Sequence, residues 1–253
     1  TLISDNAVTQ TDTGGVNVDA LALQGAGTFT LDDSDNQISL LAGGIPGDTE
    51  ASPVVLEAPI GAVDIANTGD LTIGTIGDQS GILTFGTVDL DVTGGAIQFD
   101  ADIESGGNQT YTGDTKLLSD VAMDAGSADI VFAGNMTNAG SGSERLTLTT
   151  DGQVTQSGTM DVDALALNGA GDFIFDQAGN KITKIAAGSP EAQVTDENGN
   201  VETVPAQPIG DLTVNNAAKL EVGTVTNDDG GQQSGIVASG DISLTVAGAD
   251  LVV

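Results

Sequence analysis

The hexapeptide Val18-Asp19-Ala20-Leu21-Ala22-Leu23 recurs as Val162-Asp163-Ala164-Leu165-Ala166-Leu167, 144 residues further along, and Gly25-Ala26-Gly27 with Phe29 recurs as Gly169-Ala170-Gly171 with Phe173. The correspondence extends in both directions. Val8-Thr9-Gln10 returns as Val154-Thr155-Gln156 at an offset of 146, Pro59-Ile60-Gly61 as Pro208-Ile209-Gly210 at 149, and Gln79-Ser80-Gly81-Ile82 as Gln233-Ser234-Gly235-Ile236 at 154. An offset that drifts while each block keeps its internal spacing places the insertions in loops. The chain therefore reads as one continuous unit over residues 1–253, with one copy at 2–99, a second at 148–253 and intervening residues 100–147 that have no twin. The pattern is cut in mid-repeat at both ends, so it is expected to continue beyond them.

Within each copy apolar residues alternate over short runs: Leu71, Ile73; Val88, Leu90, Val92; Ile97, Phe99; Leu146, Leu148; Ile242, Leu244, Val246. A period of two is the signature of a strand with one buried face. Gly-Asp, Gly-Gly and Ser-Gly pairs separate the runs and supply the turns. No segment sustains helical spacing over three turns. Short strands can also build a sandwich, but two sandwiches would need two self-contained cores and a joint between them, and the copies here run together without a Pro-rich or Ser-rich linker. Aromatic residues make up only 3% of the chain. That suits a narrow core in which each strand contributes one or two aliphatic side chains and its neighbours above and below supply the rest. The expected fold class is all-β, a right-handed parallel β-helix (β-solenoid) with short hairpin and loop insertions. Coils of roughly 20 to 25 residues would give about a dozen turns and a rod of the order of 50 to 60 Å.

Charge narrows the partners. With 37 acidic and 5 basic residues the formal net charge is −32, and Lys116, Arg145, Lys181, Lys184 and Lys219 form no run able to hold phosphates, so nucleic acid is excluded as a partner. There is no Cys and no His, which removes disulfides, thiolate zinc sites and the usual haem and copper ligands. The apolar runs are far too short to span a bilayer.

The run Val154-Thr155-Gln156-Ser157-Gly158, then Asp163-Ala164-Leu165-Ala166-Leu167, Gln177-Ala178-Gly179-Asn180 with Ile185-Ala186-Ala187, and Leu220-Glu221-Val222-Gly223-Thr224-Val225 resembles the repeats of filamentous-haemagglutinin-like exoproteins. Asn108-Gln109-Thr110-Tyr111-Thr112-Gly113 is similar to another motif common in that family. The resemblance covers essentially the whole chain. It implies a right-handed parallel β-helix within a very large secreted or surface-bound bacterial adhesin.

Candidate sites are few. Carboxylates are the only acid and base groups in quantity, but a β-helical polysaccharide-degrading enzyme would need aromatic sugar platforms, and Tyr111 is the sole Tyr, with no Trp. Asp32, Asp33 and Asp35 in one run, and Asp196, Asn198, Asn200 and Glu202 in another, present oxygen ligands of the kind calcium uses; neither run fits a known calcium loop, and solvated acidic turns are the plainer reading. Asn108-Gln109-Thr110 and Asn135-Met136-Thr137 match the N-glycosylation pattern and are read as turn residues. The copies differ most at residues 45–58 and 190–207, which are expected to leave the same side of the rod. The second should be a hairpin of Ala192–Thr195 and Val201–Val204 turning at Asn198-Gly199. Val54, Val55 and Leu56 of the first are expected to fold back on the shaft or to meet a neighbouring chain.

The expectation for function is therefore structural. The chain would be a shaft segment of a large extracellular bacterial surface or fibre protein, without enzymatic activity or cofactor, whose partners are neighbouring shafts or other copies of the same repeat. The alternative is a shaft that binds a host or cell-surface ligand directly through its protruding loops.

Overall fold

The computed structural model describes residues 1–11, 14–45, 57–140, 144–189, 192–195, 201–226 and 231–253, with backbone alone for 192–195 and 201–204. Among them there is no helix, and one 22-stranded sheet carries the chain. It is a parallel β-solenoid.

Three columns of inward-facing residues run along the axis. The first is Val8, Phe29, Val63, Val88, Gln109, Ile130, Val154, Phe173, Leu212 and Ile242, joined by nine parallel pairings in succession. A second contains Leu71, Ile97, Thr115, Met136 and Met160, with Val18 over Ile38, Val162 over Ile182 and Leu220 over Leu251 in the same position on other coils. The third is Leu2, Leu23, Gly43, Ile82, Ile103, Met123, Leu148, Leu167, Ala187 and Ile236. The chain visits third, first and second in that order on every turn, so the coil has three faces and three corners. Nine steps at about 4.8 Å make a stack of roughly 43 Å. This is shorter than a dozen coils would give, because steps along the first column range from 19 residues, Val154 to Phe173, to 39, Phe173 to Leu212. The length of the stack follows the number of pairings and not the number of residues between them.

The core is aliphatic and continuous. Leu21, Leu23 and Phe29 are buried, as are their twins Leu165, Leu167 and Phe173. Three of the seven aromatic residues stack near the middle: Phe99 meets Tyr111 edge-on at 5.1 Å and Tyr111 lies over Phe132 at 5.4 Å. The phenol is wholly buried and donates to Gln109 Oε1 at 2.9 Å, while Gln109 Nε2 donates to Ser105 Oγ at 3.0 Å and Asp124 O at 2.7 Å. Burial holds the Tyr111 hydroxyl well above the usual phenol range. The only tyrosine is thus a core residue and no platform for a sugar.

Alternation breaks at the corner between the second and third faces in the coils of Val18, Ile38, Val162 and Ile182, whereas Ile97, Phe99, Ala101 and Ile103 keep it across the same corner. In Asn17–Gln24 the inward residues are Val18, then Leu21 and Leu23; in Asp161–Asn168 they are Val162, then Leu165 and Leu167. A single strand turns the corner there, and Asp19 and Asp163 drop out of the pairing on either side of it. At the corner between the first and second faces, buried asparagines replace the missing ladder bonds. Asn36 Nδ2 donates to Leu31 O at 2.8 Å and its Oδ1 accepts from Val16 N at 2.6 Å and Gln10 Nε2 at 2.7 Å. Asn180 repeats this with Phe175 O at 3.1 Å, Met160 N at 2.8 Å and Gln156 Nε2 at 2.7 Å. The third corner, between the third and first faces, is glycine-rich because the backbones stack without room for a side chain. A Cβ on Gly27 would collide with the carbonyl of Asn6, and one on Gly171 with that of Gly152.

The acidity has a structural use that composition alone does not reveal. Exposed corner carboxylates accept the backbone N–H of the next coil up: Asp5 from Ala26, Asp70 from Ala96, Asp120 from Arg145, Asp129 from Gln153, Asp151 from Ala170, Asp172 from Asp211 and Asp211 from Asp241, at 2.7–3.2 Å. Asn108 and Asn135, the residues of the two glycosylation-like motifs, do the same for Asp129 and Thr159. Side-chain acceptors at these bends, most of them charged, satisfy amides that turning the corner removes from the ladder.

Candidate functional site

Departures from the plain coil flank the third face, in matching places in both copies. At the glycine-rich corner, Ile45 and Ala58 form an antiparallel bridge closed by two backbone bonds of 2.9 and 3.0 Å. Ser189 and Gln207 form the same bridge with two bonds of 2.9 Å. The left-handed turns Gly44 and Gly188 precede these bridges, with φ of 75° and 60°. Both excursions therefore leave from the same corner, and Ala192–Thr195 pairs antiparallel with Val201–Val204 as a hairpin.

A second excursion, between the second and third faces of the same turn, was not read from the sequence. Thr75–Ile76 pairs antiparallel with Gln79–Ser80, and Thr224–Thr226 with Gln232–Ser234. These hairpins fold back over the outside of the third face. In the second copy Val225 covers Ala166 and Ala186, two outward-facing alanines that are fully buried as a result. In the first copy Ala22 and Ala42 hold the same positions and are buried too. The repeated Gln-Ser-Gly-Ile block was the available signal. Its glutamine is buried in both copies, a costly place for an amide unless it is bonded.

Among the described residues Arg145 pairs with Asp120 at 3.4 Å, Lys181 with Asp161 at 3.2 Å and Lys184 with Glu221 at 3.2 Å. Other acidic groups stack on like charge. Asp64 and Asp89 are direct partners in adjacent strands. Burial first, and then Asp32, raises the Asp64 pKa; burial, Asp64 and Asp91 raise that of Asp89. Glu104, opposite Asp124 in the ladder, is raised by burial, then by Asp124 and Glu57.

Of the calcium-ligand candidates, Asp33 Oδ1 accepts the Asp35 amide at 2.9 Å and the Asp33 carbonyl accepts from Asn36 N at 3.1 Å, a turn closed on itself. Asp32 lines a shallow depression of about 260 Å³ with Asp33 and Ser34. Among the described residues no three acidic side chains are arranged to hold a metal ion. Asp196, Asn198, Gly199 and Asn200 lie outside the described residues, as do Val54, Val55 and Leu56; Glu202 lies opposite Val194 in the hairpin. Among the described residues no helix is long and apolar enough to cross a membrane.

Comparison with protein-family models, with curated proteins and with solved structures finds no match to the chain.

Proposed function

We propose that this chain is a shaft segment of a large extracellular bacterial surface or fibre protein, a structural repeat that carries an adhesive or cell-contacting element and does no catalysis itself. The observation that carries the reading is the succession of nine parallel pairings from Val8 to Ile242, which continues past the bridged insertion stems Ile45–Ala58 and Ser189–Gln207. Such a stack transmits position along its axis, because each coil contacts only its neighbours and adds a fixed rise. The resemblance of its repeats to filamentous-haemagglutinin-like exoproteins supports the same assignment.

The test is reach. One or two tandem copies are placed between a cell-surface anchor and a tip that binds a bead of known coating. Contact distance should grow in proportion to the number of coils, and soluble chain should not compete with the tip. Attachment that soluble chain abolishes, or that disappears when residues 192–206 are deleted, would instead assign the binding to the chain's own loops. Release of reducing sugar from a polysaccharide panel would make it an enzyme.

A further inference from the structure

The glycine-rich corner differs between the copies in a way that the core does not require. In the second copy it holds a cleft of about 690 Å³ whose wall includes Thr149, Ala170, Gln207, Pro208 and Ser239. The same backbone positions exist in the first copy. Ser239 N donates to Ile209 O at 2.8 Å as Phe85 N does to Ile60 O at 2.9 Å, Thr149 pairs with Asn168 as Ile3 does with Gln24, and Gln207 bridges Ser189 as Ala58 does Ile45. The counterparts are Ile3, Ala26, Ala58, Pro59 and Phe85. Three polar side chains have become apolar.

Phe85 is 69% exposed and Ile3 67%. Phe85 has coils on both sides, bonded to Ile60 below while Gly106 N donates to Thr84 O from above, so its exposure belongs to the lateral surface of the rod. Ile3, Ala26, Pro59 and Phe85 sit on four successive coils and make an apolar strip about 14 Å long.

The strip lies in an uncompensated acidic field. Residues 1–99 contain no Lys or Arg. Asp5 Oδ1 accepts the amide of Ala26 at 3.2 Å, Glu57 adjoins Ala58, and Glu104 pairs opposite Leu83, two residues from Phe85. We propose that this strip is a docking site for a cationic polypeptide segment, whose apolar side chains cover Phe85, Pro59 and Ala26 while its Lys or Arg side chains meet Asp5, Glu57 and Glu104. A second copy of the chain is a poor occupant, since two bodies of charge −32 repel. The inference is independent of the shaft assignment: it concerns what lies along the side of the rod.

A fluorescent peptide of about 12 residues alternating Lys and Leu, with a Glu-Leu peptide as control, tests it in anisotropy titrations of the full chain. The variant is Phe85→Ser with Ile3→Thr, the residues the second copy carries at these places, so folding is retained and is checked by circular dichroism. The Lys-Leu peptide should bind, lose affinity about tenfold or more in the variant, and weaken as salt rises to roughly 0.5 M. The Glu-Leu peptide should not bind. Equal affinity for parent and variant would mean that the acidic surface at large holds the peptide, and absence of binding would remove the site; either overturns the proposal. So would self-association of the parent that strengthens with salt and is lost in the variant, which would make a second copy the occupant.

Discussion

Gln79 and Gln233 make the same two bonds from the same place in the two copies. Gln79 Nε2 donates to Leu23 O at 2.5 Å and Gly44 O at 3.1 Å; Gln233 Nε2 donates to Leu167 O at 2.7 Å and Gly188 O at 2.8 Å. Each amide ties the fold-back hairpin to carbonyls beside a left-handed glycine. They differ at the other end. Gln79 Oε1 accepts from Gln24 Nε2 at 3.2 Å, whereas Gln233 Oε1 is buried with no partner among the described residues. The residue at the Gln24 position in the second copy is Asn168, one methylene shorter.

Asn168→Gln should therefore stabilise the second copy by about 0.5–1.5 kcal/mol, the net contribution of a neutral hydrogen bond. Urea unfolding of parent and variant checks this. Gln24→Asn should cost a similar amount in the first copy; if Gln24→Asn is silent as well, the Gln24–Gln79 bond contributes nothing and the explanation for the orphaned oxygen fails.

Leu167 has neighbours in the third column both below and above, Leu148 and Ala187, and is fully buried. Leu167→Ala should cost about 2–5 kcal/mol, since the stack can close only partly over the cavity. Native-state hydrogen exchange should show the loss concentrated in the coils of Leu148 and Ala187. A uniform loss along the whole rod would instead indicate a single cooperative unit.

The stacked pair Asp64 and Asp89 carries a definite pH signature. Both pKa values are raised in the folded chain, so the folded state binds protons more tightly than the unfolded one. Their contribution favours folding below the ordinary carboxylate range and is lost as pH rises through the raised values. Asp89→Asn should thus stabilise at neutral pH, by about 0.2–1 kcal/mol for relief of a cross-strand like-charge pair, and the gain should shrink to nothing as the medium is acidified. Thermal melts of the two proteins across that range decide it; a gain that grows on acidification would contradict the sign.

Asp211 is a link in a chain of corner bonds: its amide donates to Asp172 Oδ1 at 2.8 Å and its own Oδ1 accepts from Asp241 N at 2.7 Å. Asp211→Ala should expose the Asp241 amide to faster exchange and cost about 1 kcal/mol or more. Asp211→Asn keeps an acceptor and should recover most of that loss. If both variants behave alike, the carboxylate acts by charge alone.

Much of this architecture was legible before any coordinates. The drift of the repeat offset located the insertions, and alternation identified Leu71 and Ile73, Val88, Leu90 and Val92, and Leu146 and Leu148 as inward residues, because in a strand neighbouring side chains must point to opposite faces. The repeated Pro-Ile-Gly marked where both excursions rejoin the coil. What the sequence could not supply was the vertical partner of any residue. Coils of 19 to 39 residues mean that the amide above Asp172 is 39 positions away and the one above Asp151 is 19, so only the stacked structure decides which carboxylate meets which N–H. The same holds for the break in alternation at Asp19 and Asp163, where one strand bends across two faces, for the hairpins that hide Ala166 and Ala186, and for Phe85. Alternation sorts residues into inward and outward; whether an outward residue is then covered depends on what the neighbouring coils send over it.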